Sequence, residues 1–256
     1  MAVEVLSYQF SKKFERFYEE QKELLRLGGI VFLPMSEHPQ QRQYGGHYGT
    51  TILNEDGRGL EVYLNPKCFN RHPAEERELV AEIIAVHEIL HRWTISKGFP
   101  EVQGANVYPE LAERFINLFH HRVINLEMDK LGYDYSIPDR MVAQRFLDGV
   151  ERERPLPTYD ASYPRFSLLI MVLATGRDQF TSEEFEKVIP YFAYSNPEIL
   201  RRGDLCANLI EESKCWDSPA VMFDIMKEVR DILELESNII DFRNPETGEW
   251  NDPTSQ

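Results

Sequence analysis

Leu79-Val80-Ala81-Glu82-Ile83-Ile84-Ala85-Val86-His87-Glu88-Ile89-Leu90-His91-Arg92-Trp93 is the stretch that decides how the chain is read. Its apolar residues cover nearly the whole circumference of a helix, which predicts a buried one. Pro73 opens the element, and Glu75 and Glu76 fall in its first turn, where the helix dipole favours negative charge. Gly98, with Pro100 beyond it, ends the helix near Lys97. A buried helix must satisfy its polar groups, so His87, Glu88 and His91 call for a specific explanation. Residues four apart share one helix face. Both imidazoles therefore reach one Zn²⁺ at roughly 2.0–2.1 Å, and Glu88 can take a proton from metal-bound water. The pattern predicts a metal-dependent hydrolase.

Upstream, Phe14, Phe17, Tyr18, Leu24, Leu25 and Leu27 lie among charges over residues 10–27, which predicts an amphipathic helix closed by Gly28 and Gly29. Ile30 to Leu33, ended by Pro34, reads as a short buried strand. Tyr48 to Leu53 and Leu60 to Leu64 are β-prone, and Asn54 to Gly59 supply turn chemistry, so a hairpin is expected. Downstream, a helix runs from Pro109 to about Lys130 and stops at Gly132. Further helices are expected at about 138–151, 166–175, 182–194 and 218–236, with starts at Thr181-Ser182-Glu183-Glu184 and Ser218-Pro219. Three prolines, Pro155, Pro157 and Pro164, mark a soft boundary. The expected organisation is α+β: a metal-binding domain with a small β-sheet over 1–150, a mainly helical region over 151–242, and a polar, mobile tail over 243–256.

Composition narrows the partners. With 256 residues the chain can bury a substantial core. A net charge of −15 argues against nucleic acid or an anionic membrane as the main partner. The longest apolar run of the second half, Phe166 to Ala174, is far short of the ~20 residues that span a bilayer. No basic segment followed by an apolar stretch opens the chain, so the expected location is the cytoplasm. Cys68, Cys206 and Cys215 are three sparse cysteines, read as packing residues in a reducing compartment. His38, His47 and His72 are read as ordinary loop residues. Nothing in the sequence assigns an oligomeric state.

The segment Val86-His87-Glu88-Ile89-Leu90-His91-Arg92-Trp93, with the helix that follows, resembles the zincin metallopeptidases of the gluzincin-like branch. The resemblance covers roughly residues 60–130. It implies a twisted sheet whose edge strand binds extended peptide above the metal-binding helix, and a third ligand from the next helix. Nothing after about residue 140 resembles that family.

A catalytic zinc needs a third protein ligand and one open position. Glu110, Glu113, His120 and His121 are the candidates. Glu110 gives H-E-x-x-H-x18-E, the spacing of the gluzincin aminopeptidases, although Pro109-Glu110-Leu111 replaces their usual Asn-Glu-Gly. Glu113 gives x21, and Glu113-x-x-x-Asn117 resembles the E-x-x-x-D of other gluzincins, with Asn in place of the supporting carboxylate. If the two helices pack antiparallel, the position facing His91 is near 112–114, which favours Glu113. Glu110 is the alternative, then His121. His120 and His121 lie about 10–12 Å further along and serve only if the helices are offset. His120-His121-Arg122 alternatively suits a substrate carboxylate.

The function expected is zinc-dependent hydrolysis of peptide bonds, with Glu88 as general base and peptide or protein as substrate. Tyr133 and Tyr135 are weak candidates for stabilising an oxyanion; packing around Gly132 is their simpler role. Two other readings stand beside it: a non-enzymatic domain that keeps metal for stability or binds partners, and a metal-dependent hydrolase of a non-peptide amide. The intact Glu88 argues against the first, because a structural zinc site needs no general base.

Overall fold

The computed structural model describes residues 4–25, 28–44, 47–54, 58–104, 109–151, 181, 183–184, 186–187, 197–235 and 240–250. It is α+β, with a three-stranded sheet and a majority of helices. The chain divides into two compact units, Met1–Ser96 with Leu126–Tyr135, and Lys97–Asn125 with Ser136–Gln256. The expected soft boundary at Pro155, Pro157 and Pro164 lies outside the described residues.

The first unit begins with the ribbon β1 (Glu4–Val5) and β2 (Tyr8–Gln9), turned through Leu6 and Ser7 at positive φ. Helix α1 (Lys12–Leu24) starts at Ser11, whose Oγ accepts the Phe14 N–H and so satisfies one of the orphan donors of the first turn. The sheet has the order β3-β5-β4, with β3 (Gly29–Pro34) parallel to β5 (Gly59–Leu64) and β4 (Gly49–Leu53) antiparallel to it. The expected hairpin is β4 and β5. Leu60, Val62 and Leu64 alternate onto the buried face of β5. Phe14 of α1 and Phe32 of β3 pack with ring centroids 5.9 Å apart. A short helix, α2 (Gln41–Tyr44), precedes β4, and another, α3 (Pro66–Phe69), follows β5.

Helix α4 (Arg77–Ser96) carries the decisive stretch and is the centre of this unit. Every residue from Val80 to Leu90 is buried. It starts four residues later than Pro73 suggests. Pro73 instead opens a tight turn, in which its carbonyl accepts the Glu76 N–H at 3.0 Å. The unit is locked by Glu82 on α4, which is buried and accepts from the Ser11 N–H at 2.6 Å, the Ser11 hydroxyl at 2.7 Å and the Tyr133 hydroxyl at 2.9 Å. Lys13 lies over the Tyr133 ring at 3.4 Å and donates to the Gly132 carbonyl.

In the second unit β6 (Val102–Gly104) pairs antiparallel with β7 (Ile240–Phe242), a sheet the local pattern does not announce. Helix α5 (Pro109–Leu131) gives its length up to Asn125 to this unit and its last turns to the first. Helices α6 (Ser136–Glu151), α7 (Pro197–Ser213) and α8 (Pro219–Ile232) follow. Of these α7 was not expected; its start is a Pro at the first helical position after Asn196, a signal of the kind already used at Ser218-Pro219. At Thr181 the expected cap is present: Thr181 Oγ1 accepts the Glu184 N–H and Glu184 returns a carboxylate to the Thr181 N–H. The expected helix over 166–175 lies outside the described residues.

The polar stretch after Phe242, expected to be a mobile tail, is hydrogen-bonded as far as Trp250. Arg243 bridges to Trp250, pairs with Glu101 at 2.9 Å and donates to the Gly248 carbonyl. Phe242 stacks on Phe115 with centroids 5.4 Å apart. All three cysteines are buried thiols outside any disulfide, and burial pushes Cys206 up to about 12 and Cys215 up to about 11. Such thiols pack and do not react. No described helix is long and apolar enough to cross a membrane.

Candidate metal centre

His87 and His91 lie one turn apart on α4, and their Nε2 atoms are 3.2 Å from each other. Two nitrogens bound tetrahedrally to one zinc at ~2.05 Å would stand about 3.3 Å apart. The pair thus already has the spacing of two ligands to one ion. The ring of Tyr135 lies flat on His87, with centroids 4.3 Å apart and planes within 14°. That contact fixes the plane of the imidazole, and with it the direction of the ring nitrogen.

The third nitrogen comes from α5. His87, His91 and His121 each offer a ring nitrogen, and all three atoms lie within 4.8 Å of one another. Burial pushes the His121 imidazole down to about 4, so at neutral pH its ring is uncharged and keeps a lone pair. Three imidazoles form a donor set that suits Zn²⁺ and other borderline divalent ions. The group can hold a metal ion.

Of the sequence candidates for the third position, His121 is the one the described residues bring to His87 and His91. Glu110 and Glu113 lie in the first turns of α5, and their side chains fall outside the described residues. His120 points elsewhere. It is buried and donates Nε2–H to the Pro100 carbonyl at 3.0 Å, and burial pushes its pKa down to about 3. Adjacent residues on a helix face different ways, which explains why one histidine joins the group and its neighbour does not.

Glu88 is buried on α4 directly beneath β4. Gly49 is what lets the strand come so close. A Cβ built there would stand 2.8 Å from Glu88 Cγ, 2.8 Å from Ile84 Cγ2 and 2.9 Å from Glu88 Oε1. The hydrogen-bond phase of β4 also follows. The Asn65 N–H donates to the Tyr48 carbonyl and the Asn54 N–H to the Gly59 carbonyl. Tyr48, Thr50, Ile52 and Asn54 therefore turn their backbone groups toward β5, and Gly49, Thr51 and Leu53 turn theirs away. Among the described residues β4 pairs with β5 alone, so this outward row is an open sheet edge beside Glu88.

The remaining sequence candidates separate cleanly. The Tyr133 hydroxyl is committed to Glu82, and burial with that carboxylate holds the phenol far above its ordinary pKa. His38 and His72 are loop residues, as read, but both are buried. His38 Nδ1 accepts the Gln40 N–H at 2.9 Å, and His72 Nε2 is hydrogen-bonded to the Tyr48 hydroxyl at 2.9 Å. Arg122 lies over the Trp216 ring at 5.0 Å, beside Glu211 at 3.9 Å. Comparison with known protein families, with curated proteins and with solved structures gives no match.

Proposed function

We propose that the protein is a zinc-dependent metallopeptidase of the zincin kind, with His87, His91 and His121 as ligands and Glu88 as general base. The observation that carries the reading is the meeting of three imidazole nitrogens within 4.8 Å, next to a buried carboxylate one residue from His87. A straight helix sets Glu113 about 12 Å along its axis from His121, so one ion takes one or the other, and the cluster favours His121. Bound zinc would acidify its water toward a pKa of ~7 and polarise a substrate carbonyl.

The chain's own residues supply the rest. Glu88 accepts the proton of the attacking water and returns it to the departing amine as the C–N bond breaks. The outward N–H and C=O groups of Gly49, Thr51 and Leu53 suit a peptide laid along β4 as an added strand. This supports an extended peptide over a compact non-peptide amide.

The test is metal analysis of the purified chain, together with cleavage of a fluorogenic peptide library by wild type and Glu88→Gln. About one equivalent of zinc in both proteins, with cleavage by wild type alone, is the expected result. Zinc without cleavage of any peptide would leave a metal-stabilised binding domain. Cleavage confined to small non-peptide amides would move the substrate class. Absence of zinc from both proteins would end the reading.

A further inference from the structure

We propose that Asn125 is a positioning residue for the metal centre, orienting His121 by accepting the N–H of whichever ring nitrogen faces away from the ion. The inference rests on His121 being a ligand. Asn125 lies four residues beyond His121 on α5, one turn along the same face, with Cβ atoms about 5–6 Å apart. Side chains of a helix lean toward its N-terminus, so the carboxamide of Asn125 leans toward the turn that carries His121. Its Oδ1 is sealed from solvent and has no hydrogen-bond partner among the described residues. Buried acceptors are nearly always paired, and an orphan one asks what donor it is meant for.

The chemistry of the centre names such a donor. A neutral imidazole that gives one nitrogen to a metal carries its proton on the other. That proton is almost always held by an oxygen acceptor, which fixes the ring plane and raises the basicity of the ligating nitrogen. His87 has its ring plane set by Tyr135. Asn125 is placed to supply the corresponding constraint on the α5 side, as a neutral acceptor, when His121 turns a ring nitrogen to the ion.

The experiment measures the zinc dissociation constant of the full chain by competition with a chromophoric chelator. Wild type is compared with Asn125→Leu and Asn125→Asp, each also in a His121→Ala background. Asn125→Leu should bind zinc about 10–100-fold more weakly. Asn125→Asp, which keeps the acceptor, should match wild type or bind more tightly. In the His121→Ala background neither change should shift the constant further, because the residue acts through His121. A folded Asn125→Leu protein that binds zinc as tightly as wild type would overturn the proposal, and so would an equal loss without His121. If Asn125→Leu does not fold, Asn125→Asp decides: binding weaker than wild type, or a shift that persists without His121, overturns it. Wild type that takes no zinc ends this inference and the metallopeptidase reading together, whereas zinc-binding wild type with an indifferent Asn125 ends this one alone.

Discussion

Gly49 on the edge strand and Glu88 on the central helix are packed so closely that a methyl group on Gly49 would overlap the Glu88 side chain, 2.8 Å from Cγ and 2.9 Å from Oε1. The strand therefore sets where that carboxylate can sit. Gly49→Ala should push Glu88 aside and crowd Ile84. Overpacking of this kind costs about 1–3 kcal/mol, and if Glu88 is the general base we propose, its displacement by ~1 Å should cost about 100-fold in turnover. Urea unfolding and peptide cleavage, measured on one preparation with its zinc content, check both. Full turnover in Gly49→Ala would show that Glu88 is not held by the strand.

Single alanine replacements distinguish the third ligands. His121→Ala should lose most of the zinc that wild type retains through dialysis, whereas Glu113→Ala and Glu110→Ala should keep it. Because a ligand set that exists only in the folded chain stabilises that fold by mass action, added zinc should raise the melting temperature of wild type and leave that of His121→Ala nearly unmoved. Loss of zinc from Glu113→Ala with retention in His121→Ala would reverse the assignment.

Glu82 should be the most sensitive polar residue for folding of the first unit, because three donors converge on it. Glu82→Ala leaves the Ser11 N–H and the Tyr133 hydroxyl without their acceptor and should cost about 3 kcal/mol or more. Tyr133→Phe, which removes one donor only, should cost about 1–2 kcal/mol. Denaturant midpoints give both values. Neither change touches the histidine cluster, so zinc stoichiometry should survive in whatever fraction folds.

His38 gives stability a pH dependence of definite sign. Burial holds its pKa below the ordinary value, against the opposing charge of Glu61, and its Nδ1 accepts the Gln40 N–H. The unfolded chain takes up a proton at about pH 6.5 that the folded chain resists. This contribution is complete above pH ~6.5 and is lost as pH falls toward the lower folded-state pKa. The limiting slope is about 1.4 kcal/mol per pH unit for one proton. His38→Asn, whose Oδ1 can take the same N–H, should unfold with a shallower pH dependence between pH 6.5 and 5. Equal slopes for the two proteins would remove His38 as the cause.

Much of the fold was legible because its signals are local. The apolar circumference of α4, the turn residues between β4 and β5, and the Ser218-Pro219 start of α8 each depend on neighbours within a few positions. What escaped was non-local. β6 is three residues long, and it exists through pairing with Ile240–Phe242 far down the chain. That pairing also explains why the simplest argument for the third ligand pointed to Glu113. It assumed that α5 packs antiparallel to α4 with a matching offset, and the connection between them carries a strand.

The sequence by itself determined the pair His87 and His91, with Glu88 between them, since helical periodicity alone puts residues four apart on one face. It also offered four candidates on one helix, Glu110, Glu113, His120 and His121, for a third ligand. Choosing among the four was beyond it, because the offset of one helix against another is set by side-chain packing and strand pairing over the whole chain. Among the described residues, the tertiary structure brings His121 to the pair while turning His120 to the Pro100 carbonyl, which is why His121 is the ligand we propose. It likewise revealed why position 49 is a glycine: only the approach of β4 to α4 makes a missing side chain matter.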